Sequence, residues 1–381
     1  LPAPGPVGGT GPGAGSGEEV LTSANELQER ERVGAQEENL AHEAALEILE
    51  EGEWAHLNAE AIELLDAGEL ELAIELFESC LAARPEEEVF AGNLAEALAR
   101  LARALWESGE VEPAEPIALL ERALELAPLR EDLAALLARW KKTAETEEGF
   151  WTDETAHFLL SYDGERQDLL QRGYLELERM LEAAYDEFGI ALNHWPVGHG
   201  DPKIRVVLYL REEFEDVTGI GHWAGGVYDG TVRVPVADLA RQRVQIERVL
   251  RHELVHAFVR SMGGKRVPAW LNEGLAQWHE AGSVAQRAAA VEAARNKLRG
   301  TTLFPLARLQ GSLASWKDEG EIARGYAQSL VLVDYLSRTY GEFLLYEMLT
   351  GRRAGESCAA TFRGRSGVEL EGALEDLGRE L

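Results

Sequence analysis

The chain has 381 residues, 45% of them hydrophobic and nine of them tryptophan, so it can fill more than one packed core and is not disordered throughout. Its formal net charge of −31 excludes nucleic acid and anionic membrane surfaces as natural partners, because both would repel it, and suits a cationic partner or a salty, extracytoplasmic setting. No apolar run reaches the roughly 18 residues that would argue for a membrane-spanning helix.

Residues 1–18 begin "LPAPGPVGGTGPGAGSG", a Gly/Pro/Ser-rich stretch that reads as a flexible linker unable to build a core. The chain starts at Leu1 rather than Met, which fits a removed signal segment, and such a tether would serve a lipid-anchored precursor; export to the periplasm or beyond is the expectation. Residues 19–147 read as helix after helix, rich in Ala, Leu and Glu and without strand-like alternation. Within them "GELELAIELFESCLAARP" and "GEVEPAEPIALLERALELAP" align on their final prolines. The first carries Gly68, Ala73, Phe77, Cys80, Leu81 and Pro85, and the second Gly109, Leu120, Ala123, Leu124 and Pro128. This pattern resembles tetratricopeptide repeats, with a small residue where paired helices cross and a proline ending the second helix. The resemblance implies a helical domain whose groove takes a peptide or a protein partner. Cys80 and Cys358 lie far apart at no metal-binding spacing and read as two buried thiols.

From about residue 148 the pattern changes. Ala156–Tyr162 reads as a strand and is followed by a long amphipathic helix ending near Gly189; Ile204–Leu210, "IRVVLYL", reads as a buried strand. Thr231–Val236 alternates but contains Pro235, which predicts a sheet edge. Beyond Leu239 the chain reads as mostly helical. The expected fold is α+β and mostly α, with the helical repeat domain followed by a second domain over 148–381 built from a small mixed sheet and C-terminal helices.

The chemistry concentrates in Leu250–Glu280, "LRHELVHAFVRSMGGKRVPAWLNEGLAQWHE". His252 and His256 are one helical turn apart, so both imidazoles leave one face, and the apolar spacing of Ile246, Val249, Leu250, Leu254 and Phe258 predicts a helix buried on one side. Two imidazoles at this spacing suit a tetrahedral zinc ion. Glu253 stands beside that position, where a carboxylate can take a proton from water. "GGKRVP" breaks the helix, so that a second one can run back and bring Glu273 to the metal as a third ligand, leaving one position open.

"HELVH…WLNEGLA" resembles the gluzincin metallopeptidases, with a shortened spacer, over about residues 150–381. The resemblance implies a zincin-like domain, Zn2+ held by His252, His256 and Glu273, and Glu253 as general base and acid. "RGYAQSLVLVDYLSRTYG" is similar to the family helix whose tyrosine steadies the oxyanion, which implies a catalytic role for Tyr326. It also implies that "VYDGTVRVPV" borders the substrate, where an extended peptide could add to a sheet edge. Gln277, one turn after Glu273, is read either as orienting a ligand or as a surface residue; His222 and His279 are read as local hydrogen-bonding histidines. The acidic "MEN" motif with which gluzincin aminopeptidases grip a free amine has no counterpart before His252, so cleavage within peptide or protein substrates is expected rather than aminopeptidase trimming. The alternative from another class is a non-catalytic interaction scaffold with a structural or vestigial zinc site.

Overall fold

A computed structural model describes residues 54–109, 111–164, 174–198, 202–218, 225–236 and 239–381. The expected linker, residues 19–53 and His222 lie outside the described residues. The chain divides into two compact units, Leu1–Leu98 and Ala99–Leu381.

In the first unit, α1 (Trp54–Ala67) and α2 (Leu70–Ala83) form a hairpin that turns at Gly68, whose φ of +90° only glycine adopts without strain. Ala61 and Leu65 of α1 are buried, as are Ala73, Phe77 and Cys80 of α2. These last three are positions of the expected repeat pattern, small residues permitting the close helix crossing and Phe77 filling it. The N-terminal half of α3 (Glu88–Ser108) joins them, Asn93 donating to the Asn58 side chain at 2.8 Å.

The boundary between the two compact units falls inside α3. The physical reason lies in α4 (Ala114–Leu126) and α5 (Glu131–Glu147). Trp140 of α5 stacks on Trp106 of α3 with ring centroids 4.5 Å apart. Glu147, the last residue of α5, pairs with Arg233 and Tyr209 of the sheet, which ties α5 to the strands C-terminal to it.

The sheet has five strands in the order β1-β2-β3-β5-β4: β1 (Phe150–Glu154), β2 (Phe158–Asp163), β3 (Ile204–Tyr209), β4 (Val227–Tyr228) and β5 (Val232–Pro235). β2, β3 and β5 run parallel, while β1 and β4 are antiparallel edges. Side chains alternate as the pleat requires. Val206, Leu208, Val232 and Val234 belong to the main core, while Val207 and Tyr209 join Phe214 and Val217 of α7 (Arg211–Thr218) in a smaller one. Pro235 is not on the edge strand as expected, since β5 lies between β3 and β4. Its tolerance has a local cause. The Val236 amide donates to the Tyr209 carbonyl, so the missing proline donor faces the opposite side, where β4 pairs only with Val232 and Arg233 and has already ended.

Over the sheet lie α6 (Tyr174–Leu192) and the 25-residue α8 (Leu239–Gly263). α8 is buried on almost every side from Leu250 to Val259 rather than on one face. The sheet and α6 cover one side, and α9 (Ala269–Glu280), α11 (Glu319–Tyr340) and α12 (Glu342–Arg353) close the others within one continuous core. α10 (Val284–Leu298), α13 (Cys358–Ser366) and α14 (Leu370–Glu380) complete the unit. Both cysteines are free and buried. No helix among the described residues is long and apolar enough to cross a membrane.

Candidate metal centre

α8 ends at Gly263, and a single 3-10 turn over Gly264–Arg266, with Gly264 at φ +70°, reverses the chain. Pro268 then precedes α9, which packs back against α8. The reversal aligns the two helices that the chemistry needs. His252 and His256 on α8 and Glu273 on α9 place their ligand atoms within 4.8 Å of one another. The Nε2 atoms of His252 and His256 lie 3.5 Å and 3.7 Å from Glu273 Oε2. Tetrahedral ligands each about 2.0–2.1 Å from zinc would be about 3.4 Å apart, so the donors present fit such an ion.

The two imidazoles are aimed by different partners. His252 Nδ1 faces Glu280 Oε2 at 2.8 Å, and His256 Nδ1 faces Asn272 Oδ1 at 3.0 Å. With Nδ1 protonated toward these oxygens, both Nε2 lone pairs point inward, the tautomer a metal requires. Glu280 is itself held by Arg248, 2.6 Å away, and its carbonyl accepts from Arg251. Sequence reading gave neither Asn272 nor Glu280 this role. A usable signal existed, because Glu280 follows Glu273 by two helical turns and so shares its face of α9. Replacing Glu280 by alanine should weaken zinc affinity about 10–100-fold while the ligands remain, as read by zinc titration against a chelator of known affinity.

Glu253 is only 6% exposed. Burial raises its carboxyl pKa; the two imidazoles oppose that rise, and Glu273 and Glu280 reinforce it. For His252, burial works to lower the pKa, but hydrogen bonds to Glu273 and Glu280 and the charge of Glu253 overcome it and raise it well above the ordinary value. Three carboxylates gathered on two imidazoles in a buried place create an electrostatic demand for a cation.

Tyr326 on α11 is brought to the same place. Burial raises its phenol pKa, and the charges of Glu273 and Glu253 push it further, so its oxygen keeps its proton and acts as a donor. Gln277, read from the sequence as either orienting a ligand or lying on the surface, does something else. Its side-chain amide donates to the carbonyls of Glu273 and Tyr326, at 3.1 Å and 3.0 Å, and so ties α9 to α11. His279 is a local histidine as expected, 3.5 Å from the Tyr346 hydroxyl and stacked edge-on to Phe188. Burial, then Arg287 and Arg251, drive its pKa down to about 3. Unfolded histidine takes up a proton near 6.5, so between about 3 and 6.5 the unfolded chain binds more protons. Stability is therefore full above 6.5 and falls as pH drops through that window. His279→Gln should flatten the acid side of a stability–pH curve from denaturant titrations by up to one proton.

Two cavities flank the site. One of about 830 Å³ is lined by Arg248, Gln277, Glu280 and Tyr326 together with small side chains of α10 and α11. One of about 290 Å³ lies against His256 and Asn272. Gly226, beside the edge strand β4, passes so near Glu253 that an added Cβ would be 2.9 Å from its Cγ, which places the edge strand along the site.

A buried helix presenting HELVH, a crossing helix supplying a carboxylate and a sheet edge alongside make up a candidate metal centre. Residues 202–380 match the family model of the Peptidase MA superfamily, which supports a peptidase MA-like enzyme over the span from just before β3 to α14. β1, β2 and α6 precede the matched residues, although β2 pairs with β3 in the same sheet. No curated protein matches the chain.

Proposed function

We propose that the chain is a zinc-dependent peptidase of gluzincin type that cuts within peptide or protein substrates. The observation that carries this reading is the convergence of His252 Nε2, His256 Nε2 and Glu273 Oε2, each imidazole aimed from behind by its own oxygen partner, around the buried Glu253. Zinc held there supplies Lewis acidity, lowering the pKa of water and polarising a carbonyl. Glu253 would accept the proton of the attacking water and hand it to the leaving amine, from its buried place beside the two imidazoles. Tyr326 donates a hydrogen bond to the carbonyl oxygen as negative charge grows on it. Substrate lies in the larger cavity and along β4, whose outer edge can pair with an extended backbone.

Internal cleavage is favoured over trimming from the amino terminus because the acids of the smaller cavity are already engaged. Glu107 pairs with Arg260 and Lys265, and Asp229 with Arg233, so an α-amine would have to compete with these cations for either acid. The α1–α2 hairpin, with its buried small residues, supports a tetratricopeptide-type domain that recruits substrate or a partner protein. The test is a diverse peptide library incubated with zinc-loaded protein and read by mass spectrometry. Internal cuts that vanish with a chelator and return with zinc are expected. Trimming from free amino termini would overturn the endopeptidase part, and no cleavage at all would favour the non-catalytic scaffold.

A further inference from the structure

α3 ends on Glu107 and Ser108, and its last turn holds no basic residue. A carboxylate at a helix C-terminus is opposed by the helix dipole, so Glu107 is held there by something else. That something is a pair of cations. Glu107 Oε2 is contacted by Arg260 at the end of α8 and by Lys265 Nζ at 2.9 Å, in a chain of net charge −31 where cations are scarce. The contact is close on the backbone side too. Gly230, at φ +107° in the β4–β5 turn, lies so near that an added Cβ would be 2.5 Å from the Glu107 carbonyl oxygen. Glu107, Arg260 and Lys265 line the 290 Å³ cavity whose wall also includes the ligand His256, its partner Asn272 and Tyr228 of the edge strand. A carboxylate is therefore bound by two cations inside a cavity that shares the His256 wall with the candidate metal centre. The carboxylate comes from outside the peptidase-like span of residues 202–380, whereas both cations come from within it.

We propose that Arg260 and Lys265 form a binding site for a carboxylate carried by the substrate, and that Glu107 occupies this site as an internal stand-in until substrate displaces it. The chemistry of the two cations favours peptides bearing Asp, Glu or a free C-terminal carboxylate, since a guanidinium and an ammonium on one oxygen pair make the strong form of hydrogen bond. Glu107 thereby filters substrates: a neutral peptide gains nothing by displacing it, and an anionic one exchanges like for like. The identity of the ligand as a peptide rests on the peptidase reading above.

The test reads binding rather than turnover. Three dye-labelled hexapeptides are titrated by fluorescence anisotropy into the zinc-loaded full chain carrying Glu253→Gln. One has an internal aspartate and an amidated end, one has asparagine and a free carboxylate, and one has asparagine and an amidated end. Adding Glu107→Gln should tighten at least one carboxylate peptide about tenfold and leave the neutral one within about twofold, as expected for a charge-assisted hydrogen bond. Which of the two tightens identifies the source of the carboxylate. Lys265 is 54% exposed, so Lys265→Glu should fold, and with Glu107 retained it should weaken whichever carboxylate peptide Glu107→Gln tightens and tighten a fourth, amidated hexapeptide with lysine in place of the aspartate. Equal tightening of all three peptides by Glu107→Gln would make Glu107 a steric wall and overturn the proposal. No tightening, or no reversal in Lys265→Glu, would overturn it as well. Absence of cleavage by the wild-type chain would leave these affinities readable, so the two readings fail separately.

Discussion

Glu253→Gln is expected to lower peptide hydrolysis by about 10²–10⁴-fold while zinc is retained. Glutamine matches glutamate in shape, so the helix and both imidazoles next to it keep their positions; what is lost is the capacity to take a proton from water and return it to the amine. Glu253 is not among the three converging donors, so its replacement should leave metal content intact. The measurement pairs a steady-state rate on a peptide found in the library with zinc content by elemental analysis. Loss of rate together with loss of zinc would assign Glu253 to holding the metal, and an unchanged rate would remove it from catalysis.

Gly274→Ala is expected to cost about 3 kcal/mol, the upper part of the range for overpacking a filled core. An added Cβ would meet the Ser329 carbonyl oxygen and Val333 Cγ2, each at 2.5 Å, where α9 crosses α11. Neither neighbour can yield, because the carbonyl is helix backbone and Val333 is fully buried. The helices must separate, and Glu273, the adjacent residue, moves with α9. Zinc affinity should fall along with the urea midpoint, and a variant that keeps both would show that the crossing is looser than these distances imply. The glycine of "WLNEG" is thus a requirement of helix packing that places a ligand.

The parts of the fold legible in the sequence are those with a period or a motif behind them. The buried strand at Ile204–Tyr209, the run of helices over residues 54–147 and the reversal at Gly263–Pro268 arise from apolar spacing and glycine or proline punctuation. β1 was not legible, because "FWTDE" is a largely exposed edge strand with no buried face to impose alternation. β4 has only two residues and is defined by its pairing with Val232 and Arg233, a long-range fact that local pattern does not carry. α7, "REEFEDVT", is polar apart from Phe214 and Val217, which pack on the far face of the sheet.

At the candidate metal centre the convergence of His252, His256 and Glu273 was legible because metal chemistry asks for these residue types at this spacing on two helices. The partners behind them were not. Asn272 sits inside a recognised motif without announcing its bond to His256, and Glu280 reaches His252 only because α9 crosses α8 at the angle observed. Gln277 shows the converse. Its spacing from Glu273 suggested a ligand partner, yet its amide is taken by backbone carbonyls of α9 and α11.

The central claim is that His252, His256 and Glu273 form one metal centre on this chain. Titrating zinc into the metal-free wild-type chain and into Glu273→Ala, in competition with a chelator of known affinity, tests it most directly. One tightly bound zinc per wild-type chain is expected, with an affinity at least about 100-fold weaker in Glu273→Ala, since loss of a ligand should exceed the loss of a partner behind one. Equal zinc binding by the two chains, or none by either, would contradict it.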